Sequence, residues 1–527
     1  MLDFYKGMDI SSLPQSLSEG MKVKDRDGSD ISPFELLKKY GVNAVRLRLW
    51  NQPECVPDAK GYCNLEHTLQ MAKKIKENGM SFLLDFHYSD FWADPANQRK
   101  PKAWENLSFS ELEEAVYTFT GDTLMRLKEE GLLPDMVQIG NEIRSGLLFP
   151  EGELPDYEGM VKLVNAGIRG ARAVAGPEQM QVMIHLDQGG RYSWLHEWFE
   201  KAFEAGLEDF DLIGLSYYPF WHGTYLDLRD SMHRLTEDYG KPIFIVETAY
   251  AWRKSDKGFI DEDQICIGGL EATPAGQRKV LEYVMHLVAE LPRRMGRGVY
   301  YWEPVCVPEG DRGGWNENMG LLDENGCAME GIEAFRQTRE EMELAPEGWK
   351  RLEEQLKASE GAVGTEDIGS GENLLHNGCF SEGSDGMEDW CIEEKEKGTV
   401  LSILPEMGAL KVQAVKNFRF GIVNNVMLDV EGCYGISVEI TGVDTTGVDV
   451  RLFAENDGQI REVVIHPREH SRAVYEIRNM TCRAGLLKVG IRISSPAIYI
   501  TMGNFKVRKE LSRETDVLYD CAKYETV

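Results

Sequence analysis

The amino-acid sequence predicts an α/β fold, a (β/α)8 TIM barrel followed by a smaller all-β domain of the jelly-roll or β-sandwich type. The chain has 527 residues, far more than one average domain. Up to about residue 350, short β-rich runs alternate with helical patterns, which indicates parallel strands joined by helices. From about residue 374, short alternating segments lie between glycines and polar turns, which is typical of antiparallel sheets.

The first part of the chain contains eight β-rich runs, which is the number that closes a TIM barrel. The first run is "YKGMDI", and the other seven cover residues 43–50, 81–88, 135–142, 181–186, 210–219, 242–250 and 297–304. A helical period over 64–78 follows Asn64, a predicted N-cap, and precedes Gly79, which suits a left-handed C′ position. Ser110 and Glu113 have the spacing of a capping box for the next helix.

Changes in composition and in the strand and helix pattern divide the chain into four segments. Residues 1–352 carry the strand and helix alternation of the barrel. Residues 353–373 are small, polar and glycine-rich, and are predicted to be a linker. Residues 374–510 carry the predicted β-sandwich, and residues 511–527 form a C-terminal tail without a clear pattern.

Composition limits the partners of the protein. The 88 acidic and 58 basic residues give a formal charge of -30, which would repel nucleic acid and anionic lipid. We therefore expect a neutral substrate, with no nucleic-acid and no membrane partner, and no run approaches the ~20 apolar residues of a membrane span.

Cysteine usage and the first residues bear on the cellular compartment. The ten cysteines include no C-x-x-C pair, which predicts reduced and mostly buried thiols. The opening "MLDFYKGMDISS" has no basic segment followed by an apolar one, so it does not resemble a secretory signal. These features predict a cytoplasmic protein. The alternative is a secreted protein whose leader has been removed, and an appended module for binding polymer would favour it.

Polar side chains close most of the predicted strands, at the end where TIM barrels carry their reactive groups. They are Arg46, Arg48, Asp85, His87, Asp90, Asn141, Glu142, His185, Tyr217, Tyr218, Glu247, Trp302 and Glu303. Two carboxylates are distinctive, because Glu142 ends the fourth run and Glu247 ends the seventh. The period of two in a strand predicts that Glu247 shares a face with Ile243 and Ile245, where burial would be costly without a hydrogen bond or a function. Strands four and seven lie opposite each other in an eight-stranded barrel, so the two carboxylates can converge.

Glycoside hydrolysis commonly uses two carboxylates, one on either side of the sugar. One protonates the leaving oxygen, and the other attacks C1 or activates water. Arg46 or Arg48 would keep the pKa of the attacking carboxylate low, while Glu142 must stay protonated to act as an acid. Tryptophans in or after the strand ends are candidates for stacking on sugars or for core packing; they are Trp50, Trp92, Trp104, Trp221, Trp252 and Trp302.

These motifs together resemble glycoside hydrolase family 53, the endo-β-1,4-galactanases. "GMDISSL", "GVNAVRLRLW", "LLDFHYSDFWADP", "MVQIGNEI", "DLIGLSYYPFWHG", "VETAY" and "GVYYWEP" occur in this order, and the resemblance covers about residues 4 to 340. It implies a retaining, endo-acting enzyme that cleaves β-1,4-galactosidic bonds in galactan or type I arabinogalactan, the side chains of pectin. Its expected partners are β-1,4-galactan and galacto-oligosaccharides.

The resemblance also implies roles for single residues. Glu142 of "GNEI" would be the acid/base and Glu247 of "VETAY" the nucleophile. Asn141 would contact the sugar 2-hydroxyl, while Arg46 and Tyr218 would orient the nucleophile. Positions expected to line the binding groove are His87, Asp90, Trp92, His185 and Trp302.

Neither a cofactor nor a metal site is expected. Related bacterial enzymes often bind calcium in the loop after strand seven, but residues 252–264, "WRKSDKGFIDEDQ", do not clearly reproduce its acidic spacing.

The later module, with "ENLLHNGCF" and "YITMGNFKV", resembles jelly-roll carbohydrate-binding modules. Gly503 stands where an aspartate is usual, which counts against a structural ion. Trp390, Phe418, Phe420 and Tyr434 are candidate stacking rings, with core packing as the alternative.

Two other functions stay open at this point. The same barrel scaffold can carry another retaining β-glycanase specificity, because subsite loops choose the sugar. A non-catalytic galactan-binding protein is the other alternative, but loss of catalysis would usually remove one carboxylate, and both Glu142 and Glu247 are present.

Overall fold

The computed structural model forms two compact units, Met1–Trp349 and Lys350–Val527. The described residues are 2–260, 264–265, 268–305, 314–353, 374–377, 380, 387–395, 400–404, 409–414, 418–445, 449–465, 473–495 and 498–509. The predicted tail 511–527 and residues 354–373 of the predicted linker lie outside them. Within the described part, no helix is long and apolar enough to cross a membrane.

The first unit is built on a closed barrel of eight parallel strands, as the sequence predicts. Its strands are β1 (Tyr5–Asp9), β2 (Ala44–Leu49), β3 (Ser81–Phe86), β4 (Met136–Ile139), β7 (Gln181–Leu186), β8 (Leu212–Ser216), β9 (Ile243–Thr248) and β10 (Gly296–Trp302). The order around the barrel is β1-β10-β9-β8-β7-β4-β3-β2. A short antiparallel pair, β5 (Gly146–Leu147) and β6 (Gly152–Glu153), lies in the loop after β4.

Helices follow or connect these strands. The described part of the first unit contains the α-helices Leu13–Ser18, Pro33–Lys39, Leu65–Glu77, Phe109–Glu129, Tyr157–Val174, Tyr192–Glu204, Tyr225–Tyr239, Pro274–Ala289, Trp315–Asn318 and Arg339–Glu343. The predicted N-cap is confirmed, because Asn64 accepts a hydrogen bond from the His67 amide at 2.9 Å. The predicted Ser110–Glu113 box is wrong by two residues. Ser108, whose backbone is extended, caps the helix with Glu111, and Ser110 already lies in its first turn.

Apolar side chains fill the lower part of the barrel interior. Each strand contributes to this cluster, which comprises Tyr5, Ala44, Leu83, Met136, Met183, Leu212, Phe244, Val246 and Tyr300. Two residues further along several strands, the inward positions become polar, at Arg46, Asp85, Gln138 and His185. The barrel is therefore a packed core with a polar layer above it, at the C-terminal ends of the strands.

A β-bulge on β9 changes which face carries Glu247. Leu215 pairs with Ile245, but the next residue, Ser216, pairs with Glu247, so Val246 is the extra residue. The bulge interrupts the alternation and turns Glu247 toward the interior that Phe244 occupies. The predicted face shared by Glu247 and the isoleucines of β9 is therefore wrong, because a strict period of two does not survive the bulge.

The second unit is all-β, as predicted. Its strands are β11 (Trp390–Lys395), β12 (Val400–Leu404), β13 (Ala409–Ala414), β14 (Phe418–Leu428), β15 (Gly432–Thr445), β16 (Asp449–Asn456), β17 (Gln459–Val464), β18 (Ala473–Cys482), β19 (Gly485–Ser495) and β20 (Ile498–Lys509). They form two five-stranded antiparallel sheets, β11-β14-β19-β16-β17 and β12-β13-β20-β15-β18. One apolar cluster draws residues from both sheets, so the unit is a β-sandwich.

Three of the four candidate stacking rings lie in the core of this sandwich. Trp390, Phe420 and Tyr434 are 6%, 1% and 1% exposed and belong to its apolar cluster. The Trp390 ring contacts Phe505, with centroids 4.7 Å apart, and its indole N–H donates to the Asn377 carbonyl at 2.9 Å. Core packing is their role. The Phe418 side chain lies outside the described part.

We predict that Trp390→Ala lowers the free energy of unfolding of the sandwich by about 3–5 kcal/mol, because it opens a cavity in the core. Denaturant unfolding followed by circular dichroism measures this loss. Met427→Ala, at a side chain that is 68% exposed, is the matched control and should change the free energy by less than about 0.5 kcal/mol. A Trp390→Ala protein of wild-type stability would contradict the core assignment.

Candidate active site

A cavity of about 380 Å³ opens at the C-terminal ends of the barrel strands. Its charged and polar lining consists of Arg46, Arg48, His87, Asp94, Asn141, Glu142, Asp187, Tyr218, His222 and Glu247. Its apolar lining consists of Trp92, Ala93, Pro95, Trp221, Phe259, Trp302 and Trp315. Eight of the ten predicted site residues line it, and the exceptions are Asp90 and His185.

The two predicted carboxylates meet in this cavity. A carboxylate oxygen of Glu142, one of Glu247 and a ring nitrogen of His185 all lie within 4.8 Å of one another. Retaining glycosidases hold their two carboxyl groups about 5 to 5.5 Å apart, whereas inverting enzymes leave ~6.5 to 9.5 Å for a water molecule. The close approach of Glu142 and Glu247 fits the retaining geometry.

The backbone delivers Glu142 through a left-handed turn. β4 ends at Ile139, Gly140 has a φ of +83°, and Glu142 itself has a φ of +49°. A Cβ at Gly140 would lie 2.5 Å from the Ile143 side chain, so only glycine fits there. A left-handed backbone costs a non-glycine residue ~1–2 kcal/mol, and such strain is concentrated at functional sites. Here it directs a half-buried carboxylate into the cavity.

Arg46 organises the interior beneath the two glutamates, and its side chain is 1% exposed. Each of its five N–H groups has an acceptor between 2.8 and 2.9 Å away, and the acceptors are Asp9, Asp85, Gln138, Asn141 and Glu247. A buried guanidinium requires such complete pairing, because desolvation of an unpaired charge costs several kcal/mol.

Arg48 does not contact Glu247. It pairs with Glu303, donates to the Ser12 hydroxyl at 2.7 Å and lies 4.1 Å from the Trp92 ring centroid. Of the two arginines considered from the sequence, Arg46 is therefore the one that holds the Glu247 carboxylate. Arg48 fixes a tryptophan of the cavity wall.

The two glutamates have different electrostatic surroundings. Burial raises the pKa of Glu142 well above its ordinary value, and the charge of Glu247 raises it further. Burial also raises the pKa of Glu247, to about 7, but the Arg46 guanidinium and the Tyr218 hydroxyl, 3.0 Å from Oε2, oppose that rise. When the pair holds a single proton, Glu142 therefore carries it and Glu247 is the anion.

His185 lies beside the two glutamates but does not line the cavity. Its Nδ1 lies 3.0 Å from the Asn141 Oδ1, and its Nε2 lies 2.9 Å from the Ser216 hydroxyl. Two carboxylates and an imidazole form a possible cation-binding set. Both ring nitrogens already have hydrogen-bonding partners, so this histidine orients neighbouring groups. The prediction that the loop 252–264 binds no calcium concerns the acidic residues 261–263. These residues lie outside the described part of the chain.

The other predicted residues have distinct places. The His87 ring lies 3.0 Å from Asp85 and accepts the Ala93 amide, which positions it at the cavity wall. Asp90 does not reach the cavity, because its two oxygens accept the amides of Gln52 and Lys102 at 2.9 and 2.8 Å. It joins two loops.

Aromatic rings form one wall of the cavity. Trp92 and Trp302 have ring centroids 5.7 Å apart, and Trp302 and Trp315 are 4.3 Å apart and nearly perpendicular. Among the other tryptophans considered, Trp221 also lines the cavity, whereas Trp50 and Trp104 are 3% and 8% exposed and pack in the interior.

Seven lining residues were not among the sequence candidates. They are Ala93, Asp94, Pro95, Asp187, His222, Phe259 and Trp315. Asp187 directly follows β7, and position after a strand was the signal that could have found it. Trp315 begins a short helix, and the others lie in loops without a periodic pattern that could indicate their direction.

A closed parallel barrel with two converging carboxylates beside a tryptophan wall defines a glycoside hydrolase of the two-carboxylate type. A family model described as Glycosyl hydrolase family 53 matches residues 5–335. The chain belongs to this family.

Individual relatives agree with this membership. An uncharacterized Niallia circulans protein from the 5′ region of bgaB is 41% identical over 63% of this chain and 93% of its own length. The arabinogalactan endo-β-1,4-galactanase of Cellvibrio japonicus is 36% identical over 61% of this chain and 86% of its length. The solved GH53 catalytic domain of Ignisphaera aggregans is 37% identical, with a TM-score of 0.59 over 63% of this chain and 96% of that domain.

We predict that Arg46→Met lowers the free energy of unfolding by about 3–5 kcal/mol at pH 7, because Asp9, Asp85 and Glu247 lose their shared cation. The deficit should shrink as the pH falls, because burial raises the pKa of Glu247 and, without Arg46 to oppose that rise, the folded variant binds more protons than the unfolded chain. Urea unfolding at pH 7 and pH 5 measures both effects.

The matched control for this prediction is Arg126→Met, because Arg126 is half exposed and pairs with Glu130 at 2.8 Å. It should change the free energy of unfolding by at most about 0.5 kcal/mol. A loss below about 1 kcal/mol for Arg46→Met at pH 7 would show that the buried network does not depend on this cation.

Proposed function

We propose that the barrel is a retaining endo-β-1,4-galactanase in which Glu142 is the acid/base and Glu247 the nucleophile. The protein hydrolyses β-1,4-galactosidic bonds within galactan and type I arabinogalactan, as its family and its galactanase relatives do. The observation that supports the two roles is the asymmetric pairing, because Arg46 contacts the Glu247 carboxylate while Glu142 is directed into the cavity.

The first chemical step forms a covalent intermediate. The ionised Glu247 carboxylate attacks C1 of the galactosyl unit, the bond from C1 to the glycosidic oxygen breaks, and Glu142 gives its proton to that oxygen. Arg46 and the Tyr218 hydroxyl hold one Glu247 oxygen each. This fixes the carboxylate in the orientation for attack.

The second step regenerates the enzyme. Glu142, now ionised, takes a proton from water, the water oxygen attacks C1, and the Glu247 carboxylate leaves. The two inversions give net retention. Asn141, whose Nδ2 donates to the Ala93 carbonyl and whose Oδ1 accepts from Arg46, lies beside Glu142 and is the expected contact of the sugar 2-hydroxyl.

The cavity wall suits a neutral sugar chain. Trp92, Trp302 and Trp315 present ring surfaces on which the C–H faces of pyranose rings stack. The formal charge of -30 disfavours an anionic polymer, so the neutral galactan side chains of pectin fit better than its acidic backbone.

Glu247→Ala is expected to abolish hydrolysis of β-1,4-galactan, and Glu142→Ala to lower kcat by about 100- to 10,000-fold. Reducing-end assays on galactan, with mannan, xylan and cellulose in parallel, measure both, and proton NMR of early products shows the β-anomer. Glu129→Ala, at an exposed glutamate, is the control and stays fully active. Activity of Glu247→Ala within tenfold of wild type, or an α-anomer as first product, would refute the assignment.

A second proposal concerns the sandwich, which we propose to be a galactan-binding module. Its sequence motifs support this role, and the burial of Trp390, Phe420 and Tyr434 moves any sugar contact to other side chains.

We expect deletion of residues 360–527 to leave the cleavage of short galacto-oligosaccharides unchanged and to weaken retention on galactan in affinity electrophoresis. The same electrophoresis in a gel that contains a cellulose derivative instead of galactan is the specificity control. Unchanged retention on galactan would remove the binding role from the module.

A further inference from the structure

Asp187 is a carboxylate of the cavity that the two chemical steps leave without a role. It directly follows β7, its side chain is 5% exposed, and it lines the cavity. We propose that Asp187, together with His222, binds hydroxyl groups of the galactosyl unit that leaves with the glycosidic oxygen, and so selects the leaving group and the acceptor. This inference rests on the proposed function, because it names what the same cavity holds on the leaving side of the bond that breaks.

Only one of the two Asp187 carboxylate oxygens has a protein partner. The Arg144 Nε donates to Oδ1 at 2.8 Å, and the Arg144 guanidinium lies 5.1 Å from the Trp194 ring centroid, so the carboxylate is held in place. Oδ2 has no hydrogen-bond partner within the described part of the chain, yet it keeps contact with solvent. Because Asp187 is nearly buried and lines the cavity, Oδ2 faces the cavity. A nearly buried carboxylate oxygen needs a donor, and a sugar hydroxyl supplies one.

His222 offers a second polar group, from the loop after β8. The Gly190 amide donates to the His222 carbonyl at 3.1 Å, which joins the loop of Asp187 to the loop of His222. The His222 Nδ1 lies 3.0 Å from the Ser216 carbonyl oxygen and 3.3 Å from the Tyr218 amide nitrogen, so backbone groups occupy it. Nε2 has no hydrogen-bond partner among the described residues, and the ring lines the cavity.

Both groups suit the hydroxyls of a neutral sugar. Burial lowers the pKa of His222 to about 4, so the imidazole is neutral near pH 7. Its Nε2 exchanges one hydrogen bond with a hydroxyl in either tautomer, because a hydroxyl both donates and accepts. The Asp187 Oδ2 only accepts, so its partner must donate. The carboxylate of a uronic acid in that place would meet a like charge.

The barrel topology places these two side chains opposite the tryptophans. β7 and β8 are neighbours, and they lie between β4 and β9, the strands that deliver the two glutamates. In a ring of eight strands, β7 and β8 lie opposite β1 and β2, whose outer neighbours are β10 and β3. Trp302 ends β10 and Trp92 lies in the loop after β3. The bond that breaks therefore has rings on one side and hydrogen-bonding groups on the other.

The link between Asp187 and the loop of Glu142 assigns this polar wall to the leaving unit. Arg144, which holds Asp187, comes two residues after Glu142. Burial raises the pKa of Glu142, and the charges of Glu247 and Asp187 raise it further, so Asp187 is an electrostatic neighbour of the proton donor. Glu142 gives its proton to O4 of the leaving galactosyl unit, whereas Arg46 and Glu247 act on the unit that is attacked at C1. A side chain beside the proton donor meets the leaving unit.

The hydroxyl groups nearest to O4 of that unit are those at C3 and C6. Either can donate to the Asp187 Oδ2 while O4 takes the proton from Glu142. A hydrogen bond to a charged group is roughly twice as strong as a neutral one, and a site built around a hydroxyl rejects analogues that lack it. Asp187 therefore gives the leaving side a preference for intact, neutral galactosyl units.

The test uses the full chain and measures how the galactosyl-enzyme is consumed. The donor is 2,4-dinitrophenyl β-1,4-galactobioside, whose leaving group is not a sugar, and benzyl β-galactoside is added as the acceptor. O4 of the acceptor attacks C1, Glu142 takes the proton of that hydroxyl, and the Glu247 carboxylate leaves, so a β-1,4 bond forms where water would otherwise hydrolyse the intermediate. Chromatography gives the ratio of transfer product to hydrolysis product.

We expect Asp187→Ala to lower this ratio about 10- to 100-fold, because the acceptor loses a hydrogen bond to a charged group. His222→Asn, whose amide replaces Nδ1 but not Nε2, should lower it about 3- to 10-fold. Glu142 is the base in both competing reactions, so a change in its pKa or in the overall rate cancels in the ratio. A merely structural role of Asp187 would therefore leave the ratio unmoved.

Asp209→Ala is the matched control. Asp209 pairs with Lys241 at 2.9 Å and precedes β8, at the end of the barrel opposite to the cavity, so the ratio should stay at the wild-type value. A folded Asp187→Ala protein with the wild-type ratio overturns the inference. An unchanged ratio in His222→Asn alone overturns the part that concerns His222.

A measurement on the wild type covers the case in which Asp187→Ala does not fold. The 3-deoxy and 6-deoxy forms of benzyl β-galactoside replace the acceptor, and transfer to at least one of them should fall about 10-fold or more. Equal transfer to all three acceptors, or no transfer by an active wild type, overturns the inference. A wild type that releases no dinitrophenol and cleaves no galactan would overturn the proposed function itself.

Discussion

The complete pairing of the Arg46 guanidinium is the interaction on which the active site depends. Its planar fork has five N–H groups in fixed directions, and each meets one acceptor. Two of the acceptors, Asp9 and Asp85, are fully buried carboxylates on β1 and β3. Without this cation, their charges and that of Glu247 would be poorly compensated in the interior, which is costly. Lysine could not replace it, since a point charge with three donors cannot satisfy acceptors on so many strands.

The different protonation states of the two glutamates follow from the same pairing of Arg46. Both carboxyl groups are drawn from water, which raises both pKa values, but only Glu247 touches the guanidinium. The negative charge that Arg46 stabilises on Glu247 then raises the pKa of Glu142. One cation therefore makes one carboxylate an anion and keeps the other protonated.

Much of the fold was predictable because its signals are local. Alternation along the chain gave the eight barrel strands within a few residues, and Glu142 and Glu247 were prominent as carboxylates at the ends of apolar runs. The bulge at Val246 was not predictable, because it depends on the register of β9 with its neighbour. The choice of Arg46 over Arg48 likewise depends on which carboxylates lie across the barrel. Asp90 has the right type and position for the groove, yet two loop amides occupy its oxygens.

Stability and reactivity are separated along the barrel axis. The lower interior is an apolar layer with a contribution from every strand, and its burial stabilises the closed sheet. Above it lies the layer of Arg46 with its carboxylates, which is costly to desolvate and adds little net stability. The left-handed backbone of Glu142 and the bulge before Glu247 add local strain at the rim. The apolar layer offsets these costs, and so the same fold can hold a buried and a half-buried glutamate close together in opposite protonation states.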